Sequence, residues 1–202
     1  MPYFNSRFWH FLVISTRIFL GLIFFTGGMS KLMPFPGIIG PTWLIERLAE
    51  YDLELYGYFI AYSQVIIGLL LLSQRFATLG AVMLLPLVLN ILMVTVSMHW
   101  RGTPYVLSVL LLLNVFLLIA DYHRLKYILF PRTAALREPM LRRPHPQLDA
   151  LTLAGIAVLA FCPALYALAG VWAYGVAVLG LLCFPASWAI EQITARKVLT
   201  KI

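Results

Sequence analysis

An all-α, polytopic membrane protein of about six transmembrane helices is the fold the sequence predicts, on three observations. Of 202 residues, 62% are hydrophobic and only 11% are charged, against roughly 45–50% and about 25% in soluble domains. Mean hydropathy is +0.90, more apolar surface than a water-soluble fold of this length can hide. The apolar residues also fall into runs close to the ~20 residues that cross a hydrocarbon core of ~30 Å.

Six such runs lie at roughly 17–36, 55–74, 76–98, 104–122, 150–168 and 171–190. The first follows Arg7 as a signal peptide would, but no small-x-small cleavage pattern follows it, so it reads as a retained helix. Gly21, Gly27 and Gly28 strip side chains from this helix and let another backbone approach. Lys31 arrives at headgroup level, where its stem can snorkel, and Pro34 and Pro36 end the helix.

The following segment carries Glu46, Glu50, Asp52 and Glu54, half of the eight acids. Within "PTWLIERLAEYD" (41–52), Pro41 suits a first helical turn, and Trp43, Leu44, Leu48 and Tyr51 recur at helical spacing. This predicts a short helix lying on the outer membrane surface, or an ordered loop with one turn. Breaks at Ser73-Gln74-Arg75 and Ala169-Gly170 predict tight antiparallel hairpins.

Between Asp121 and Asp149 lies the one long connection, rich in Arg and interrupted by Pro131, Pro139, Pro144 and Pro146. The last two runs share an echo, "FCPALYA" (161–167) and "CFPASWA" (183–189), with prolines that kink membrane helices. The domain reading is a four-helix bundle over 1–129, a basic connector over 130–148, and a helical hairpin over 149–202.

Charge assigns the sides. With six spans both termini share one side, which collects Arg7, Arg17, Arg75, Arg124, Lys126, Arg132, Arg137, Arg142, Arg143, Arg196, Lys197 and Lys201. Only Lys31, Arg47 and Arg101 lie opposite. By the positive-inside rule the termini are cytoplasmic. The net charge of +7 thus reports topology and not nucleic-acid binding. Arg137, Arg142 and Arg143 either mark topology alone or dock a partner or anionic lipid, at ~1 kcal/mol per basic residue.

"RIFLGLIFFTGGMSKL" (17–32), a polar outer segment, then "QVIIGLLLLSQRFATLGAVML" (64–84) resembles the DoxX-like family of small bacterial membrane proteins. The resemblance covers about residues 17–129. It implies a four-helix bundle in the bacterial cytoplasmic membrane, acting as an accessory subunit beside other integral membrane proteins. Family members serve thiosulfate–quinone or terminal-oxidase chemistry, and related proteins act as assembly factors. Where the family often carries a glutamate, this chain has Gln64, which supplies neither a proton nor a fixed charge.

Three carboxamides lie at similar depth: Gln64, Asn90 and Asn114 each sit roughly 12–15 Å from a helix end. They are either polar glue between helices or a site for a quinone or other small polar head, since carboxamides both donate and accept. At the outer rim, Lys31, His99, Trp100 and Arg101 lie level with the acidic 46–54 segment, which suggests an ion-pair lid. At the inner rim Arg17 and Asp121 are placed to pair, with His123 beside them.

His10, His99, His123 and His145 lie at helix ends or in loops, so neither haem nor a metal site is expected. Cys162 and Cys183 stand singly in apolar runs, without a CxxC or zinc pattern. "GGMSK" (27–31) lacks the spacing of a phosphate loop, and no nucleophile elbow or HExxH occurs. A self-contained active site is absent from the pattern. The functional expectation is an accessory subunit linked to quinone-dependent electron transfer; the alternatives are a quinone-binding component of an oxidoreductase, a small transporter or an assembly chaperone.

Overall fold

In the computed structural model, which describes residues 7–38, 42–129 and 146–199, every regular element is an α-helix. They are α1 (Arg7–Leu32), α2 (Leu44–Ala49), α3 (Glu54–Leu72), α4 (Ala77–Ser97), α5 (Thr103–Ala120), α6 (Tyr122–Leu129), α7 (Pro146–Ala169) and α8 (Trp172–Leu199). Five of them are long and apolar enough to cross a membrane: Phe8–Leu32, Glu54–Leu72, Ala77–Ser97, Thr103–Ala120 and Pro146–Ala169. The chain is a multi-pass membrane protein. The described apolar stretch of α8, Trp172–Ser187, is shorter than a span.

Helices α1–α6 and α7–α8 belong to two separate compact units. In the first, α1 packs on α3 through glycines. A Cβ on Gly28 would lie 2.7 Å from the Ala61 carbonyl oxygen, and one on Gly68 would lie 2.8 Å from that of Gly21. Backbones this close gain dispersion along the whole seam, which is how helices associate where lipid is as apolar as leucine. Helix α4 buries Ala81, Leu84, Val88, Ile91 and Thr95, a stripe at three- and four-residue spacing. Leu107, Leu110, Asn114 and Leu117 do the same on α5. Phe19, Leu79, Met93, Val109 and Leu112 point outward and fit contact with lipid.

Turn chemistry closes the bundle. Between α3 and α4, Gln74 adopts φ +54, and the Ser73 hydroxyl accepts the Phe76 amide at 3.2 Å. Gly102 at φ +90 precedes α5, whose first turn holds Pro104. In the second unit, Gly170 at φ +57 lets the chain turn from α7 to α8. The two helices meet where Gly155 faces Cys183 and the Gly180 carbonyl.

Several expected boundaries move. Helix α1 starts ten residues before the expected Arg17, because the largely apolar stretch 8–14 continues the helix and belongs to its span, Phe8–Leu32. The surface helix spans only Leu44–Ala49; it buries Leu44, Ile45 and Leu48, while Trp43 and Tyr51 are exposed. Pro41 lies outside the described residues. The segment after Asp121 is not all connector: α6 forms at once, and α7 begins at Pro146, three residues before the expected 149. Proline at a first helical position loses no hydrogen bond, so Pro146 opens α7 instead of interrupting a loop. Arg137, Arg142 and Arg143 lie outside the described residues.

Candidate functional site

The four-helix unit carries a cavity at each end. The one beside α2 has a volume of about 410 Å³. Its rim is formed by Lys31 at the end of α1, by Trp43 just before α2, and by Trp100 and Arg101 between α4 and α5. Trp43 and Trp100 meet edge to face with ring centroids 4.9 Å apart, a favoured aromatic geometry. Ile23, Phe24, Ile91, Leu107 and Leu110 form the apolar wall.

Gln64 also lines this cavity, ten residues and roughly 15 Å into α3. Its carboxamide oxygen is buried without a hydrogen-bond partner. A buried acceptor left unpaired costs about 1–3 kcal/mol, so a donor entering the cavity has something to gain there. Lys31 bends back so that Nζ donates to the Gly27 carbonyl at 2.6 Å, leaving two further N–H groups. Thr95, fully buried, donates to its own helix at Leu92. Two cations and no carboxylate line this cavity.

The cavity beside α6 measures about 520 Å³. Here Arg17 Nη2 donates to both carboxylate oxygens of Asp121 at 2.7 Å. The Thr78 hydroxyl donates to Asp121 Oδ2 at 2.9 Å and accepts from Arg124 Nη1 at 3.3 Å. One chain of polar contacts therefore ties α1, α4, the end of α5 and α6 together. The pair is deeply placed, with Arg17 and Asp121 side chains 12% and 6% exposed.

The carboxamide layer separates into three environments. Gln64 reaches the α2-end cavity. Asn114 is wholly buried, its oxygen and nitrogen both without partners, and lines neither cavity. Asn90 does not face the interior: it is exposed and accepts from the Tyr56 hydroxyl of α3. Its neighbour Ile91 holds the place on the buried stripe of α4, which leaves Asn90 off it.

No ion-pair lid forms among the described residues. Arg47 pairs with Glu50 of its own segment, at 2.5 Å, and no acid of 46–54 reaches Lys31, His99 or Arg101. The bond from Glu50 and then its charge raise the Arg47 guanidinium above its ordinary pKa. His99 takes φ +54 past the end of α4 and is exposed. Thr78, Arg124, Trp43 and Thr95 were missed by sequence reasoning. A hydroxyl inside an apolar helix could have flagged Thr78 and Thr95, whereas nothing in the spacing connects Arg124 to α4.

No group of three or more metal-ligating side chains occurs among the described residues. Comparison with family models, with curated proteins and with solved structures finds no match to this chain.

Proposed function

We propose that this chain is a DoxX-like accessory subunit of a larger assembly in the bacterial inner membrane, and that its α2-end cavity receives the head of a quinone-type amphiphile. The observation that carries the reading is the unpartnered Gln64 carboxamide oxygen in a cavity of about 410 Å³ with cationic donors at its rim. In the quinol form one ring hydroxyl would donate to Gln64, and the oxygen of the other would accept from Lys31 or Arg101. The leucine and isoleucine wall suits the ring and the first part of an apolar tail. Six spans with cytoplasmic termini agree with the lysine and arginine distribution. They place α2 and this cavity on the outer side and require α8 to cross as well.

The test is binding of a short-chain ubiquinol, kept reduced so that its ring hydroxyls can donate, to the purified full chain, followed by fluorescence of Trp43 and Trp100. Gln64→Leu should weaken binding at least ~10-fold, because it removes the acceptor and fills the space. Equal binding by the variant, or no binding by the parent chain, would overturn the quinone site. Mass spectrometry after mild-detergent purification tests the subunit reading: partners at fixed ratio support it, and a protein that purifies alone refutes it.

A further inference from the structure

The α6-end cavity has chemistry that the quinone reading leaves unused. We infer that it is a second binding site, one that takes a phosphate ester at the end of an apolar chain, as a phospholipid headgroup presents it.

The charge balance points to an anion. Asp121 is the one carboxylate lining the cavity, and it is already occupied by Arg17 and Thr78. Two guanidinium groups, Arg17 and Arg124, line the same space, so one positive charge is left over before the imidazoles are counted. His10 and His123 stand at the same cavity.

The donors have spare capacity. Of the Arg17 nitrogens only Nη2 is engaged, and Nε is buried without a partner. Arg124 spends Nη1 on Thr78 in a long bond of 3.3 Å. A planar fork with free N–H groups matches phosphate oxygens. The network also holds both arginines in place before a ligand arrives, which reduces the ordering cost of binding.

The walls say what the phosphate is attached to. Trp9 stacks on Phe116 with centroids 5.8 Å apart, and Val13, Ile14 and Ile119 continue the apolar side. A soluble anion would leave that wall wet. A lipid covers it with its acyl chain while its head meets the arginines.

The experiment compares three probes on the delipidated full chain by native mass spectrometry: phosphatidylglycerol, diacylglycerol with the same chains, and inorganic phosphate as competitor. Phosphatidylglycerol should be retained and diacylglycerol lost. Arg124→Gln, an exposed position whose loss should not unfold the bundle, should weaken phosphatidylglycerol retention about five-fold, while Arg47→Gln at the other end should not. Displacement by inorganic phosphate would show that the phosphate group alone suffices, with a soluble ester as its source; failure to displace assigns the lipid. Equal retention of diacylglycerol, or an Arg124→Gln chain that behaves as the parent does, would overturn the site. Gln64→Leu should leave this binding intact, so its outcome is separate from that of the quinone reading.

Discussion

The four-helix unit and the α7–α8 hairpin share close glycine packing and buried hydroxyls bonded within their own helices, as at Thr16, Thr26 and Thr95 in the bundle, but the bundle adds a long-range ion pair and carboxamide atoms without partners. In the hairpin, the Thr152 hydroxyl donates to Leu148 and that of Ser187 to Phe184, each within its own helix, and the Cys162 thiol reaches the Ala173 carbonyl. The two hydroxyls are satisfied within their own helices, and the thiol reaches across from α7 to α8. In the bundle, Arg17 depends on Asp121 from a distant part of the chain, while Gln64 and Asn114 keep atoms with no partner. Three of the bundle's polar positions, Arg17, Asp121 and Gln64, line cavities, which gives them a role beyond packing.

The largest expected effect tests how far the bundle depends on its long-range pair. Asp121→Ala leaves Arg17 deep in the structure without its counter-charge and should lower bundle stability by about 3–5 kcal/mol. Thermal unfolding in detergent measures it. A loss below about 1 kcal/mol would mean that water or lipid reaches Arg17 freely, and the contrast with the hairpin would weaken.

Glycine packing should rank next. An added Cβ at Gly68 meets the backbone of both Phe25 and Gly21, which cannot rotate away, so Gly68→Ala should cost about 1–3 kcal/mol. Gly155→Ala in the hairpin presses on the Cys183 Cβ at 2.8 Å and the Gly180 carbonyl at 3.0 Å, also fixed atoms. Comparable losses would show that the two seams share one packing principle. Asn114→Leu separates polar glue from burden: with both carboxamide atoms unpaired, the swap should leave the melting temperature unchanged or raise it. A clear fall would reveal a partner for Asn114, such as a bound water or ligand.

Helix existence was legible because apolar length is a one-dimensional signal, and the expected start of the first run at Arg17 and end of the fourth near Asp121 made their pairing a geometric expectation, which holds although α1 continues past Arg17 to Arg7. Rotation about the helix axis was harder. Asn90 and Asn114 look alike by depth, and only the stripe Ala81-Leu84-Val88-Ile91-Thr95 shows that Asn90 turns outward. The helix boundary failed at the start of α1, where the largely apolar residues 8–14 carry the span past Arg17, and at α6, where a polar segment forms a helix at once after α5. Cavities were not legible at all. They arise from what three or four helices fail to fill together, and no spacing within one helix encodes that.

The smallest effect is expected at Arg47 and Glu50, and it bears on the missing lid. Their bond lies on the surface between exposed side chains, and the raised Arg47 pKa follows from that bond and from the Glu50 charge. A raised pKa on a base stabilises the fold below its unfolded value and is lost only as pH climbs through the folded one, which for arginine lies beyond any working range. Glu50→Gln should therefore change neither stability nor its pH dependence, since exposed pairs are screened by solvent. Quinone binding should be equally unmoved. If Glu50→Gln instead altered ligand affinity, the acidic segment would reach the Lys31 and Arg101 rim in the bound state, and a lid absent from this structure would have to close over the cavity.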